Sequence, residues 1–159
     1  MRHLFIIIPF LNEAENIERL SKNCEDLIKI LNLGTKHTFL FVDDGSQDNS
    51  VALIEKHFHH LTVRILQHPK NIGPGAAFLT GFLAIQHELT ADDWILTMEA
   101  DNTSNHHIVP KMLQRTQEGF PVILASPYIY GGTIINTSRF RKLLSFVSNF
   151  ALKELLGLR

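Results

Sequence analysis

Two carboxylates one residue apart, Glu99 and Asp101 in Glu99-Ala100-Asp101, close the apolar run 94–98. Hard divalent cations take oxygen ligands, commonly one or two carboxylates together with substrate phosphates. The spacing suits such a cation; a solvated turn after a strand would be spelled the same way. Two further acidic clusters have the same setting. Asn12-Glu13 follows the run 4–9, and Asp43-Asp44-Gly45-Ser46 follows the run 39–42. In the latter, Gly45 suits a turn, and Ser46 or Asp48 a helix cap. Neither role explains why both Asp43 and Asp44 close an apolar strand, where each needs a partner to be buried. A ligand amide or hydroxyl would be such a partner.

These clusters must be positioned by the elements that precede them. Short apolar runs rich in branched and aromatic residues read as buried parallel strands. The pattern predicts strands at 4–8, 38–42, 62–66, 94–98 and 121–125. Helices are expected from about 13 to 31, 48 to 59, 74 to 88, 106 to 118 and 137 to 156. Asn12 with Glu15 reads as a capping box for the first helix. Strands alternating with helices predict a mostly parallel α/β sheet. Ligands bind beyond the carboxyl ends of such strands, so the three acidic clusters are expected at one rim. The stretch 127–132 is the clearest break.

The size of 159 residues fits one domain, 1–159, and a formal net charge of −1 gives no general drive toward nucleic acid. A single cysteine, Cys24, excludes an internal disulfide and suits a reducing, cytoplasmic setting. No apolar stretch reaches the roughly 20 residues of a membrane-spanning helix.

Other residues invite chemistry more weakly. Lys70-Asn71-Ile72-Gly73-Pro74-Gly75-Ala76-Ala77 opens the third helix, and glycines let a backbone approach a phosphate. Its spacing is neither a dinucleotide-binding fingerprint nor a P-loop, so alone it reads as a glycine-rich turn. Nine histidines are present. His57, His59, His60, His106 and His107 lie near helix ends without His-x-x-x-His or paired-cysteine spacing, and read as surface or capping residues. Cys24 reads as helix packing, and Ser46 lacks a hydrolase elbow. In the last helix, Phe140, Leu143, Leu144, Val147, Phe150, Ala151 and Leu155 recur at helical spacing, flanked by Arg139, Arg141, Lys142 and Lys153. That pattern packs on a sheet or lies on an anionic membrane surface.

Taken together, the motifs resemble family 2 glycosyltransferases with the GT-A fold, nearest the dolichol-phosphate mannosyltransferase and polyprenyl-phosphate glycosyltransferase branch. The resemblance runs through Ile8-Pro9-Phe10-Leu11-Asn12-Glu13, then Val42-Asp43-Asp44-Gly45-Ser46, then Asn71-Ile72-Gly73. It continues through Met98-Glu99-Ala100-Asp101, Ala125-Ser126-Pro127-Tyr128 and Arg141-Lys142-Leu143-Leu144-Ser145. It implies a Rossmann-like, mostly parallel sheet flanked by helices and an inverting hexose transfer from a nucleoside-diphosphate sugar. The acceptor would be a polyprenyl phosphate or a cell-envelope glycan. Pro9, Phe10, Glu13, Asp43, Asp44, Asn71, Gly73, Glu99 and Asp101 would hold the donor, with Asp44 at the nucleobase. Glu99 and Asp101 would be the catalytic D-x-D motif and ligate Mg²⁺ or Mn²⁺. Arg139 and Arg141 would meet a lipid-phosphate acceptor at the inner face of a membrane.

Two departures stand out. Glu99 replaces the usual Asp, and Pro127 stands where the branch often has a phosphate-binding Arg. The family also continues past this length into an acceptor-side segment. The resemblance therefore implies a C-terminally truncated chain that binds donor better than it transfers sugar, with an uncovered last helix open to homo-oligomer formation. The rival functions are a non-catalytic nucleotide-sugar-binding domain and a metal-dependent nucleotidyltransferase. The latter usually carries an N-terminal glycine-rich basic loop, which 9–13 lacks.

Overall fold

A computed structural model describes residues 3–32, 36–126 and 147–148. The chain divides into two compact units, Met1–Phe120 and Pro121–Arg159. The first unit runs β1 (Leu4–Phe10), α1 (Ala14–Leu31), β2 (His37–Asp43), α2 (Ser50–Phe58) and β3 (Val63–Gln67). Then come α3 (Pro74–Ile85), β4 (Trp94–Thr97), a 3₁₀ turn (His106–Ile108) and α4 (Val109–Thr116). The four strands form one parallel sheet in the order β3-β2-β1-β4.

Alternation along β1 explains how one strand serves two faces, because successive side chains point to opposite sides. Leu4, Ile6, Ile8 and Phe10 join Ile17, Leu20, Cys24 and Leu27 of α1 and Ile54 and Phe58 of α2. Phe5 and Ile7 join Leu40 and Val42 of β2 and Ala77 and Ile85 of α3. Phe58 sets its ring edge-on to Phe41, with centroids 4.7 Å apart. α3 packs so closely that a Cβ at Gly81 would lie 2.5 Å from Ile7 Cγ2. Cys24 is fully buried, and burial, helped by the Glu25 charge, pushes its thiol up to about 12, so it is packing and not a nucleophile.

Pro9 lies within a strand that is paired on both sides, where proline is normally excluded. Ile7 O accepts from Met98 N and Phe10 O accepts from Asp44 N. By alternation, the Pro9 nitrogen faces the β4 side, and β4 pairing ends at Ile7 with Thr97. The missing N–H therefore leaves no gap in the ladder.

Several expectations need correction. The stretch 121–125 carries no strand, and Val122 and Leu124 are 71% and 82% exposed. An apolar run becomes a strand only by pairing, and the described sheet has four strands. The helix expected from 106 opens instead as the 3₁₀ turn, and α2 begins two residues after Asp48. The last helix, with Arg139 and Arg141, lies outside the described residues apart from Val147 and Ser148, which are helical. No described helix is long and apolar enough to cross a membrane.

Candidate functional site

The strand order reverses beside β1: the chain moves outward to β2 and β3, then returns to place β4 on the other flank of β1. Such a switch point opens a crevice at the carboxyl rim. A cleft of about 280 Å³ lies there, near the small end of ligand sites. Pro9, Phe10, Leu11 and Glu13 line it from the end of β1, and Asp44 from the end of β2. Asn71, Pro74 and Ala77 contribute from the loop into α3, and Glu99, Ala100 and Asp101 from the turn after β4. Four carboxylates thus border one cleft, and none of its described lining residues is a lysine or arginine.

Asp44 is buried at the cleft floor and held by three protein donors. Its Oδ1 accepts from His68 Nδ1 at 2.8 Å and Ile72 N at 3.0 Å, and its Oδ2 from Gly73 N at 2.8 Å. Burial alone would push this carboxyl up. The bonds from His68 and the two amides, with the His68 charge, outweigh burial and hold it below the usual carboxylate range. Asp43 bonds elsewhere, accepting from Ser46 N at 2.8 Å and Gln67 Nε2 at 3.2 Å. Both acids therefore find protein partners, so neither depends on a ligand to be buried. Asp43 and Gly73 are not among the described residues that line the cleft.

The turns around Asp44 depend on one glycine. Gly45 has φ +85°, and a Cβ there would sit 2.5 Å from the Lys70 carbonyl carbon and 2.7 Å from Asn71 N. The loop after β2 thus presses directly on the loop that supplies Asn71.

The first helix is not capped by its own sequence. Asn12 takes φ 55°, Glu13 occupies the N-cap position, and no side-chain cap bond is made there. The loop after β2 caps it instead: Ser46 Oγ accepts from Asn12 N, Ser50 Oγ from Glu13 N, and Asp48 Oδ2 from Ala14 N, at 2.9, 2.9 and 3.1 Å. The capping box read from Asn12 and Glu15 is corrected accordingly. Burial pushes the Asp48 carboxyl up, but bonds from Ser50 and Ala14 prevail and lower it. Glu13 keeps its own carboxylate at the cleft edge, accepting from Asn16 Nδ2 at 2.6 Å.

Asp101 sits in a turn closed by its own Oδ1, which accepts from Thr103 N at 2.9 Å and Thr103 Oγ1 at 2.8 Å. No described protein donor reaches its Oδ2, and the exposed Glu99 lines the same cleft. An oxygen pair of this kind fits a hard divalent cation. The turn is fastened to α1 by residues the sequence reading missed. Asn102, at φ 60°, donates from Nδ2 to Asn16 O at 3.0 Å and accepts at Oδ1 from Asn23 Nδ2 at 2.8 Å. Arg19 Nη2 lies 3.4 Å from the carbonyl oxygens of both Asp101 and Asn102. Asn16, Arg19, Asn23 and Asp26 recur at helical spacing, which was the available signal. Nothing in the sequence marks His68 as the partner of Asp44, 24 residues away.

Known proteins resemble this chain in sequence and in fold. The chain is 27% identical over 88% of its length to a dolichol-phosphate mannosyltransferase of Pyrococcus furiosus, of which it covers 37%. It is 28% identical over 99% of its length to an undecaprenyl-phosphate 4-deoxy-4-formamido-L-arabinose transferase of Salmonella paratyphi B, of which it covers 45%. The chain thus spans less than half the length of these curated relatives. Its fold is similar to the mannosyltransferase PcManGT from Pyrobaculum calidifontis, solved with GDP-Man and Mn²⁺. There the TM-score is 0.59 at 17% identity, over 82% of this chain and 38% of that one. Residues 5–157 match the family described as Glycosyl transferase family 2, so the chain belongs to that family and carries its GT-A fold.

Proposed function

We propose that this chain holds the donor of a glycosyl transfer, a nucleoside-diphosphate sugar, in the carboxyl-rim cleft, where Asp101 and Glu99 would hold a divalent cation that offsets the charge of its diphosphate. One observation carries the reading. Among the described residues the cleft is bordered by Glu13, Asp44, Glu99 and Asp101, with no lysine or arginine. A diphosphate is repelled there unless a cation offsets the charge, and carboxylate oxygens favour Mg²⁺ or Mn²⁺. A relative in fold solved with GDP-Man and Mn²⁺ supports this choice of ligand.

Each side chain then has a role. Asp101, with one oxygen fixed by Thr103, offers the other to the cation, and Glu99 supplies a second oxygen. Bound there, the cation acts as a Lewis acid on the leaving diphosphate. Pro9, Phe10 and Leu11 provide an apolar wall, and Asn71 offers an amide. Asp44, held anionic by His68 and two amides, keeps lone-pair capacity for a nucleobase N–H. An acceptor oxygen forms a bond to the sugar C1 as the C1–diphosphate bond breaks, which inverts that carbon and releases a nucleoside diphosphate. The two curated relatives are named for lipid-phosphate acceptors. A polyprenyl phosphate already carries an anionic oxygen, so no strong general base is required. Attack at a membrane surface completes the reading; Arg139 and Arg141, which the resemblance offers for that phosphate, lie outside the described residues.

The test is calorimetric titration of UDP and GDP into the chain with and without Mn²⁺, alongside Asp101→Ala. Binding of one nucleotide should require the cation and weaken at least about tenfold in the variant, whose fold is retained. Equal binding without cation and in Asp101→Ala would overturn the assignment. Transfer from UDP-glucose or GDP-mannose to polyprenyl phosphate then distinguishes an enzyme from a donor-binding domain.

A further inference from the structure

The polar stripe of α1 does not end at the acidic turn. Asn16, Arg19 and Asn23 fasten residues 101 and 102. Three residues further along α1, Asp26 meets His106 and His107, the pair that opens the 3₁₀ turn. Asp26 Oδ2 lies 2.9 Å from His106 Nε2 and 3.7 Å from His107 Nε2. All three donor atoms fall within 4.8 Å of one another. This pair, read from the sequence as surface or capping residues, is thus divided: the His106 ring is buried and His107 stays exposed.

We propose that Asp26, His106 and His107 form a transition-metal site, taking Zn²⁺ or a similar ion such as Co²⁺, separate from the cation at Asp101. Ligand chemistry selects the class of ion. Two imidazoles and one carboxylate suit zinc-like metals, whereas Mg²⁺ and Ca²⁺ prefer all-oxygen sets. Geometry agrees. Ligands bound at about 2.0–2.2 Å around a tetrahedral ion stand roughly 3.3 Å apart, and the two observed contacts bracket that spacing. The backbone is set in advance, because Asn105 Oδ1 accepts from His107 N at 3.1 Å and fixes the turn that presents both rings. The nearest cation on α1, Lys29, lies 3.8 Å from the Glu25 carboxylate, which offsets its charge. Water would complete the coordination on the exposed side. The ion would act as a staple, pinning the far end of segment 101–107 to the helix that already grips its start.

The experiment titrates Zn²⁺ into the chelator-treated full chain by calorimetry, in parallel with His107→Ala, Asp26→Asn and Asp101→Ala. Both staple residues are half-exposed or more, so those two variants should fold, and circular dichroism checks this. One equivalent of Zn²⁺ should bind, with affinity falling at least about tenfold in His107→Ala and Asp26→Asn and unchanged in Asp101→Ala. Saturating Zn²⁺ should raise the melting temperature of the parent chain by roughly 5–10 °C and leave His107→Ala unmoved. Substituted Co²⁺ should show visible bands that His107→Ala abolishes. Absence of saturable Zn²⁺ binding, binding indifferent to His107 and Asp26, or binding lost only in Asp101→Ala would each overturn the proposal. The first outcome would leave a plain His–Asp hydrogen bond.

Discussion

His68 holds Asp44 from behind the cleft: its Nδ1 stands 2.8 Å from Asp44 Oδ1, while its Nε2 stands 2.9 Å from Thr80 Oγ1 on α3. An anionic carboxylate cannot donate, so the ring hydrogen on Nδ1 points at Asp44. The pair links β2, the end of β3 and α3 at the floor of the cleft.

Replacing His68 with Ala should strip Asp44 of its side-chain donor and leave Thr80 without its partner. The His68 and Asp44 side chains are nearly buried, and a buried bond to a charged group contributes about 1.5–3 kcal/mol. The variant should lose stability on that scale in urea denaturation, and nucleotide binding should weaken with it. An unchanged midpoint would show that the contact contributes little.

The same carboxyl makes stability pH-dependent with a defined sign. Its folded pKa is lowered, so the folded state favours the ionised form. The resulting stabilisation is fully present above the unfolded value, near 3.9, and disappears as pH falls through the folded value. The stability gap between the parent chain and Asp44→Asn should therefore be constant near neutrality and narrow below about pH 4. Thermal melts of the two proteins across that range measure it; a gap that widens in acid contradicts the bond assignment.

Asn102 separates turn geometry from turn anchoring. Asn102→Gly keeps a residue suited to φ 60° but removes the bridge to Asn16 and Asn23. Asn102→Ala removes the bridge and adds strain on the order of 1–2 kcal/mol. Cation-dependent nucleotide binding should weaken several-fold in both, while stability should fall further in the alanine variant. Calorimetry and melting curves on the pair give both readings.

Gly45→Ala should be severely destabilising, by about 2 kcal/mol or more, since the new Cβ meets backbone atoms of Lys70 and Asn71 and the φ is left-handed. Relief requires the Asn71 loop to retreat, so any folded variant should also bind nucleotide poorly. Chemical denaturation and titration check the two effects. By contrast, Gly75→Ala meets nothing within 4 Å and should be tolerated.

What the sequence determined by itself was the alternation of elements and the rim they share. Apolar runs such as 4–8 and 38–42 have no stable place except between two layers of helices, and each leads to polar residues that need partners at the strand's end. Asn12, Asp44 and Asp101 were therefore legible as strand-end residues, and Cys24 as packing, because burial and spacing are local signals. The tertiary structure decided who partners whom. The N-terminus of α1 is capped by Ser46, Ser50 and Asp48 from another loop, since a cap needs only an oxygen at the right point in space and not one nearby in sequence. Asp44 is satisfied by His68, and Asp101 is steadied through Asn102 by a stripe on α1, contacts that close only once the sheet has assembled. The run 121–125 has the composition of a strand yet pairs with none of the described strands, because a strand exists only where a neighbouring edge supplies its hydrogen bonds.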